Sequence, residues 1–270
     1  RRDVLRLPSA QKRTLALDAA WDRIAVAPDG RRALLLFEAD AEPAPGAAPV
    51  RNPNLVAVVD VRAGTVTTAL LETESLAPRQ VVFTPAGTRA AILYDDAVAI
   101  LDLEDPARRR TLPLQLRDGS ALRPVEATFS PSGGHLFVRA AGTDDVLALT
   151  LSAAEGAFDV AVNFLFAAGL RGLRDIAASG AFGEAVVALY SDGVALLDAT
   201  GDAAANRSAP LDVALDRILD LGDGLLLLHA APSGAASRSI AGWEPLMGRI
   251  ARELLERPIV AEPQAAGGAA

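Results

Sequence analysis

No cysteine occurs in the chain, and histidine (two), tryptophan (two), tyrosine (two) and methionine (one) are nearly as scarce. Without cysteine there is no disulfide, no thiol nucleophile, no Cys-ligated zinc and no Cys-linked lipid anchor within these residues. That absence suits an oxidising and a reducing compartment equally. His135 and His229, with no Glu-x-x-His pair, make no His-rich metal set and no spacing that suggests a Ser-His-Asp site. Both read as core or edge residues of second strands. Aromatics at 4% leave few stacking platforms for sugars or single-stranded nucleic acid. A phosphate-cradling Gly-x-x-x-x-Gly-Lys-Ser/Thr is missing. No apolar run approaches the roughly 18 residues of a membrane span; the stretch from Val160 to Leu170 is broken by Asn163. Positive charge is also short, with a formal net charge of −8 and a pI near 4.9. Nucleic-acid binders collect phosphates on a basic face, so that class is disfavoured. The one dense basic run, Arg108-Arg109-Arg110, reads as a solvated strand or turn. The oxygen-bearing stretch Asp198 to Asn206 has the wrong spacing for a calcium loop. No cofactor and no metal are expected.

What is present is a repeat. Ile24-Ala-Val-Ala-Pro-Asp-Gly30 leads into Arg31 to Phe37, Val81-Val-Phe-Thr-Pro-Ala-Gly87 into Thr88 to Tyr94, and Ala127-Thr-Phe-Ser-Pro-Ser-Gly133 into Gly134 to Val138. Each is an apolar strand, a Pro-x-Gly turn and a second apolar strand. Proline pre-sets φ at the second turn position and glycine accepts a positive φ near the end. Two weaker copies, from Asp175 to Tyr190 and from Asp216 to His229, lack the proline and keep glycine at the turn. A third strand follows each of the first four pairs: Leu55–Asp60, Ala97–Asp102, Val146–Thr150 and Val194–Asp198. Ser191-Asp192-Gly193 before the last is a hairpin signal. More polar fourth strands follow at 65–71, 110–116, 158–164, 208–213 and 249–255.

Pro28 to Pro85 spans 57 residues and Pro85 to Pro131 spans 46. The first interval holds a Pro- and Ala-rich insertion at 39–54; without it the period matches one propeller blade of about 40–50 residues. The expected fold is therefore all-β: a β-propeller of four-stranded antiparallel blades. Inner strands apolar on both faces fit this, because each packs between two neighbouring sheets. Residues 1–17 read as the outer two strands of a partial blade, 18–257 as five blades, and 258–270 as a low-complexity tail. The complete ring is expected to have six or seven blades, the natural protein being longer than this chain. The alternative is a compact five-bladed ring with an added hairpin. From Trp243 to Glu256 the repeat phase favours strands, although Leu246, Ile250 and Leu254 also suit a helix.

Phe129-Ser-Pro-Ser-Gly-Gly-His-Leu-Phe-Val138 resembles the inner-strand motif of bacterial WD40-like and YVTN-type propellers. Asn54-Leu-Val-Ala-Val-Val-Asp-Val-Arg-Ala-Gly-Thr-Val66 resembles the outer half of a YVTN blade. The resemblance runs over residues 20–257 and implies architecture, not activity. No Trp-Asp pair closes a blade as in eukaryotic WD repeats; Trp21-Asp22 precedes a first strand instead. YVTN-like propellers are frequently exported, which implies the periplasm or cell surface of a bacterium.

Two features are candidates for function. Charged residues recur just before first strands: Asp22 and Arg23, Arg79, Glu126, Arg174 and Asp175, Asp216 and Arg217. They are expected to ring one mouth of the central channel, either as mutual inter-blade salt bridges or as a funnel for a carboxylate or a partner's charged loop. The insertion, stiffened by Pro43, Pro45, Pro49 and Pro53, is either a tolerated surface excursion or a partner-binding arm. The leading expectation is a non-catalytic interaction scaffold, a subunit of a bacterial cell-envelope assembly whose partners are other protein subunits. A metal-dependent lactonase-like enzyme, built on Asp22, Glu126, Asp175 and Asp216, is the alternative. A carbohydrate-binding propeller is a third.

Overall fold

The computed structural model describes residues 21–37, 54–73, 78–116, 118–154, 157–211 and 215–220, single residues at 14, 15, 17, 19 and 52, and the backbone of four strand segments beyond 220. The insertion prolines Pro43, Pro45, Pro49 and Pro53, the tail at 258–270, His229 and residues 1–13 lie outside the described residues.

Strands β1 (Arg23–Val26), β2 (Arg32–Leu36), β3 (Leu55–Asp60) and β4 (Thr65–Leu70) form the first antiparallel sheet in that order. The second is β5 (Gln80–Phe83), β6 (Arg89–Leu93), β7 (Ala97–Asp102) and β8 (Arg109–Pro113). The third is β9 (Arg123–Phe129), β10 (His135–Ala141), β11 (Val146–Ala154) and β12 (Ala157–Leu165), and the fourth β13 (Leu173–Ala177), β14 (Val186–Tyr190), β15 (Gly193–Leu197) and β16 (Arg207–Pro210). A fifth sheet holds β17 (Arg217–Asp220), β18 (Leu225–Leu228) and β19 (Ser237–Ile240). Arg249–Ile250 (β21) does not join β19 as a fourth strand; it pairs with Trp243–Glu244 (β20) in a separate two-stranded unit.

The second strands read as unbroken apolar runs because each is covered on both faces. On β6, Ala90 and Ile92 face the first sheet, while Ala91 and Leu93 face the third. On β10, Leu136 and Val138 pack towards the second sheet and Phe137 towards the fourth. On β14, Val186 and Ala188 pack towards the third sheet, Val187 and Leu189 towards Leu215 and Ile218. This is the period-2 alternation of a strand with apolar residues at both phases. Each large side chain buried in this way stabilises by roughly 1.5–3 kcal/mol. First strands approach one another in sequence order, β5 to β9, β9 to β13 and β13 to β17, so they are the innermost. Fourth strands form the outer edges.

The Pro-x-Gly turns behave as their sequence requires. Gly30, Gly87 and Gly133 hold φ of +65°, +66° and +74°, and their N–H groups bond back to Ala27, Thr84 and Ser130. In the fourth sheet the turn is longer. A 3₁₀ turn at Gly180–Phe182 moves the positive φ to Gly183, so Gly180 is not the turn glycine that repeat alignment suggests.

Candidate functional site

Arg23, Gln80, Glu126, Asp175 and Arg217 share one repeat position on the innermost strands. Glu126 and Asp175 are not leading residues as expected from sequence. They lie inside β9 and β13, because β9 begins three residues earlier, at Arg123, and β13 begins at Leu173. Bulges at Arg139/Ala140 and Leu173/Asp175 take up the extra residues.

These side chains link blade to blade. Gln80 Oε1 accepts a hydrogen bond from Ala127 N–H at 2.9 Å, joining the second and third sheets. Asp175 Oδ2 accepts from Ile218 N–H at 2.5 Å, joining the fourth and fifth. Between them, Arg139 Nε donates to Glu126 Oε2 at 3.0 Å, and the Glu126 carboxyl meets that of Asp175. Asp175 is buried. Arg174 and Asp216 form a further ion pair between the fourth and fifth sheets. Arg79 clamps Asp95 of its own sheet with two bonds, 2.5 Å from Nε to Oδ1 and 2.7 Å from Nη2 to Oδ2. That pair is half-exposed, so it adds little stability. Asp22 N–H bonds to Leu36 O, and Arg23 and Arg217 sit opposite Leu36 and Leu228. Sequence reading missed Gln80 and Arg139. Scoring by repeat position rather than by charge finds Gln80; Arg139 lies on a second strand and gives no such signal.

Burial pushes the Glu126 carboxyl up to about 7, with the facing Asp175 carboxyl adding to the rise and Arg139 opposing it. A second carboxyl facing Glu126 disfavours its charged form and so favours its protonated one. The folded state therefore holds the Glu126 proton more tightly than the unfolded chain. Stability from this group is full below pH 4.5 and is lost as pH rises through about 7. The expected loss between pH 5 and pH 8 is on the order of 1–3 kcal/mol. Asp95, held low by Arg79, and Asp118, held low by the Ser120 hydroxyl, act in the opposite direction and only on the acid side of this window. Urea unfolding across that range measures the effect. Glu126→Gln should flatten it, and an equally steep profile in the variant would reject the assignment.

A second latch joins successive turns at the other end of the first strands. Glu184 Oε2 accepts from Ser132 Oγ at 2.7 Å and Oε1 from Ser132 N–H at 3.2 Å. His135 Nδ1 lies 3.2 Å from Thr150 Oγ1, on its neighbouring strand. In the Asp198–Asn206 stretch the oxygens bond within their own turns: Asp198 Oδ1 accepts from Thr200 N–H and Asn206 Oδ1 from Asp198 N–H. Among the described residues no group of three or more His, Asp or Glu side chains is placed to hold a metal ion. Arg109 of the basic run donates to Leu70 O on the neighbouring edge at 2.7 Å, while Arg110 is exposed.

The outer surface carries a different feature. Between the second and third sheets runs a groove of about 460 Å³, lined by Leu116, Phe164 and Phe166 with Asp118 and Asp145. Phe166 is 52% exposed and Val162, on the same strand as Phe164, 41%.

No protein-family model matches the chain, and no curated protein matches it in sequence. Solved structures do match in fold. Dihydro-heme d1 dehydrogenase NirN is similar with a TM-score of 0.55 at 15% identity, over 84% of this chain and 46% of that one. The Swd1 (Cps50) β-propeller domain of Myceliophteria thermophila gives 0.55 at 12%, over 86% and 71%. The WD40 domain of SCAP from fission yeast gives 0.52 at 14%, over 82% and 50%. The chain is thus an all-β protein of the β-propeller class, with WD40 propellers among its structural neighbours. It spans just under half the length of the NirN chain and half that of the SCAP chain.

Proposed function

We propose that the chain is a non-catalytic protein-interaction scaffold, a subunit of a larger bacterial cell-envelope assembly. The observation that carries this reading is how its polar and apolar groups are distributed. Gln80, Glu126, Asp175 and Arg174 on the inner strands, and Asp216 just before β17, are engaged in bonds between blades. Large apolar side chains, Phe166 and Val162, stand exposed on the outer wall. A rigid frame with an apolar outer surface suits docking of a protein partner. Inner-strand carboxylates held by arginines and backbone N–H groups suit cohesion. The lactonase-like reading needs Asp22, Glu126, Asp175 and Asp216 around one metal, whereas Asp216 is held by Arg174 and Glu126 by Arg139. NirN's being a dehydrogenase by name keeps an enzymatic propeller in view as the alternative. The carbohydrate reading needs exposed aromatic platforms, yet Tyr94 and Tyr190 are buried and Trp21 stacks on Phe37 at 4.3 Å. Resemblance to YVTN-type repeats supports a periplasmic or cell-surface site. No helix among the described residues is long and apolar enough to cross a membrane.

Affinity isolation from the native cells, with crosslinking and mass spectrometry, tests the reading. The expected result is one stoichiometric protein partner crosslinked to the outer wall, the channel mouth or the 39–54 insertion. Absence of a partner together with metal-dependent thermal stabilisation of the purified chain would instead establish the enzyme.

A further inference from the structure

The fourth strands are the free edges of their sheets, and two of them are guarded by basic residues and proline. β8 carries Arg109, Arg110 and Pro113, and β16 carries Arg207 and Pro210. β4 is threonine-rich, and its Leu70 carbonyl is capped by Arg109. Charge and proline on an edge are the usual devices that stop it pairing with another chain. β12 has neither. Its nine residues, Ala-Phe-Asp-Val-Ala-Val-Asn-Phe-Leu, contain no lysine, arginine or proline and one acid, Asp159. It is also among the longest described strands, paired on its inner side to β11 along its whole length. The groove of about 460 Å³ opens beside its far end. By strand alternation Val162 lies on the same face as Phe164.

We propose that the β12 edge and the adjoining groove form a docking site for an extended basic–apolar peptide of a partner protein. The inference rests on the scaffold reading and names the site and chemistry of one contact. The peptide adds as a further strand to β12, with main-chain hydrogen bonds supplying affinity and alternate side chains supplying specificity. One large apolar side chain fills the groove against Leu116, Phe164 and Phe166. A neighbouring lysine or arginine meets Asp118 and Asp145 at the rim. Two Ser120 donors, its N–H at 2.9 Å and its hydroxyl at 2.6 Å, keep the Asp118 carboxylate ionised, so the rim stays negative. The chain's charge of −8 favours the same partner over an acidic one.

The test selects displayed random peptides against the whole chain, then measures their affinity for the chain and for Val162→Lys, which places a guarding charge on the exposed edge. Expected binders alternate apolar residues and carry lysine or arginine. Their affinity should fall about tenfold or more in the variant, and they should slow amide exchange along 157–165. Unfolding of Val162→Lys at the wild-type midpoint excludes misfolding, and Phe166→Ser gives an independent second reading. Binders indifferent to both substitutions, or acidic binders, overturn the proposal. So does concentration-dependent self-association that protects β12, which would make a second copy the occupant. A native partner crosslinked elsewhere, with no peptide bound at β12, overturns this site while leaving the scaffold reading intact.

Discussion

Gly193→Ala should lower the unfolding free energy by about 2–3 kcal/mol, and Gly193→Val by more. The residue opens β15 opposite Pro210. A Cβ added there would lie 2.5 Å from Leu170 Cδ2 and 2.8 Å from the Ala209 carbonyl oxygen. A leucine methyl can turn away, but a strand carbonyl cannot move without disturbing the ladder that holds it. In the second sheet the same position is Ala97, opposite Pro113, so the ladder itself accepts a methyl group. The cost in the fourth sheet comes from the link between the third and fourth sheets, which brings Leu170 against β15. Urea unfolding of Gly193→Ala, with and without Leu170→Ala, divides the cost between side chain and backbone. Gly180→Ala is the control: a Cβ there meets nothing within 4 Å, and the change should stay within about 0.5 kcal/mol. Equal effects at Gly193 and Gly180 would show that close approach at β15 is not what selects glycine. Against a total stability of about 5–15 kcal/mol, the expected loss is a large fraction.

Gly193 also shows how far the sequence could be read. Ser-Asp-Gly announced a hairpin, and the hairpin is there between β14 and β15. The glycine, however, is not among those with positive φ; it answers to a neighbour from a different segment. Local turn chemistry was legible because it depends on a few consecutive residues. The same holds for the Pro-x-Gly turns and for the two-faced apolar strands, whose burial follows from strand alternation. Blade-to-blade chemistry was not legible in detail. The charged residues near first strands signalled that something polar joins the blades, yet which of them meet depends on register. Glu126 and Asp175 hold the same repeat position on neighbouring inner strands and meet there, whereas Arg79 pairs within its own sheet. Gln80 was invisible to a search for charge, although as an acceptor for Ala127 N–H it links neighbouring sheets much as Asp175 does.

Asp175 is where these links converge, and Asp175→Ala should cost about 3 kcal/mol or more. Its carboxyl holds the Ile218 N–H of the fifth sheet and faces Glu126 of the third, which Arg139 in turn holds. Truncation strands a backbone donor, a loss of roughly 1–3 kcal/mol by itself, and removes the carboxyl that helps raise Glu126. Two consequences can be read separately. Stability should fall at every pH, and its decline between pH 5 and pH 8 should become shallower, because burial alone then raises Glu126. Asp175→Asn keeps an acceptor for Ile218 and should restore most of the stability while still weakening the pH dependence. Amide exchange at Ile218 should quicken in the alanine variant and not in the asparagine variant. If both variants lose stability equally and the Ile218 amide is unchanged in each, Asp175 acts by filling space, and the three-sheet link through its carboxyl is not what binds the fifth sheet to the fourth.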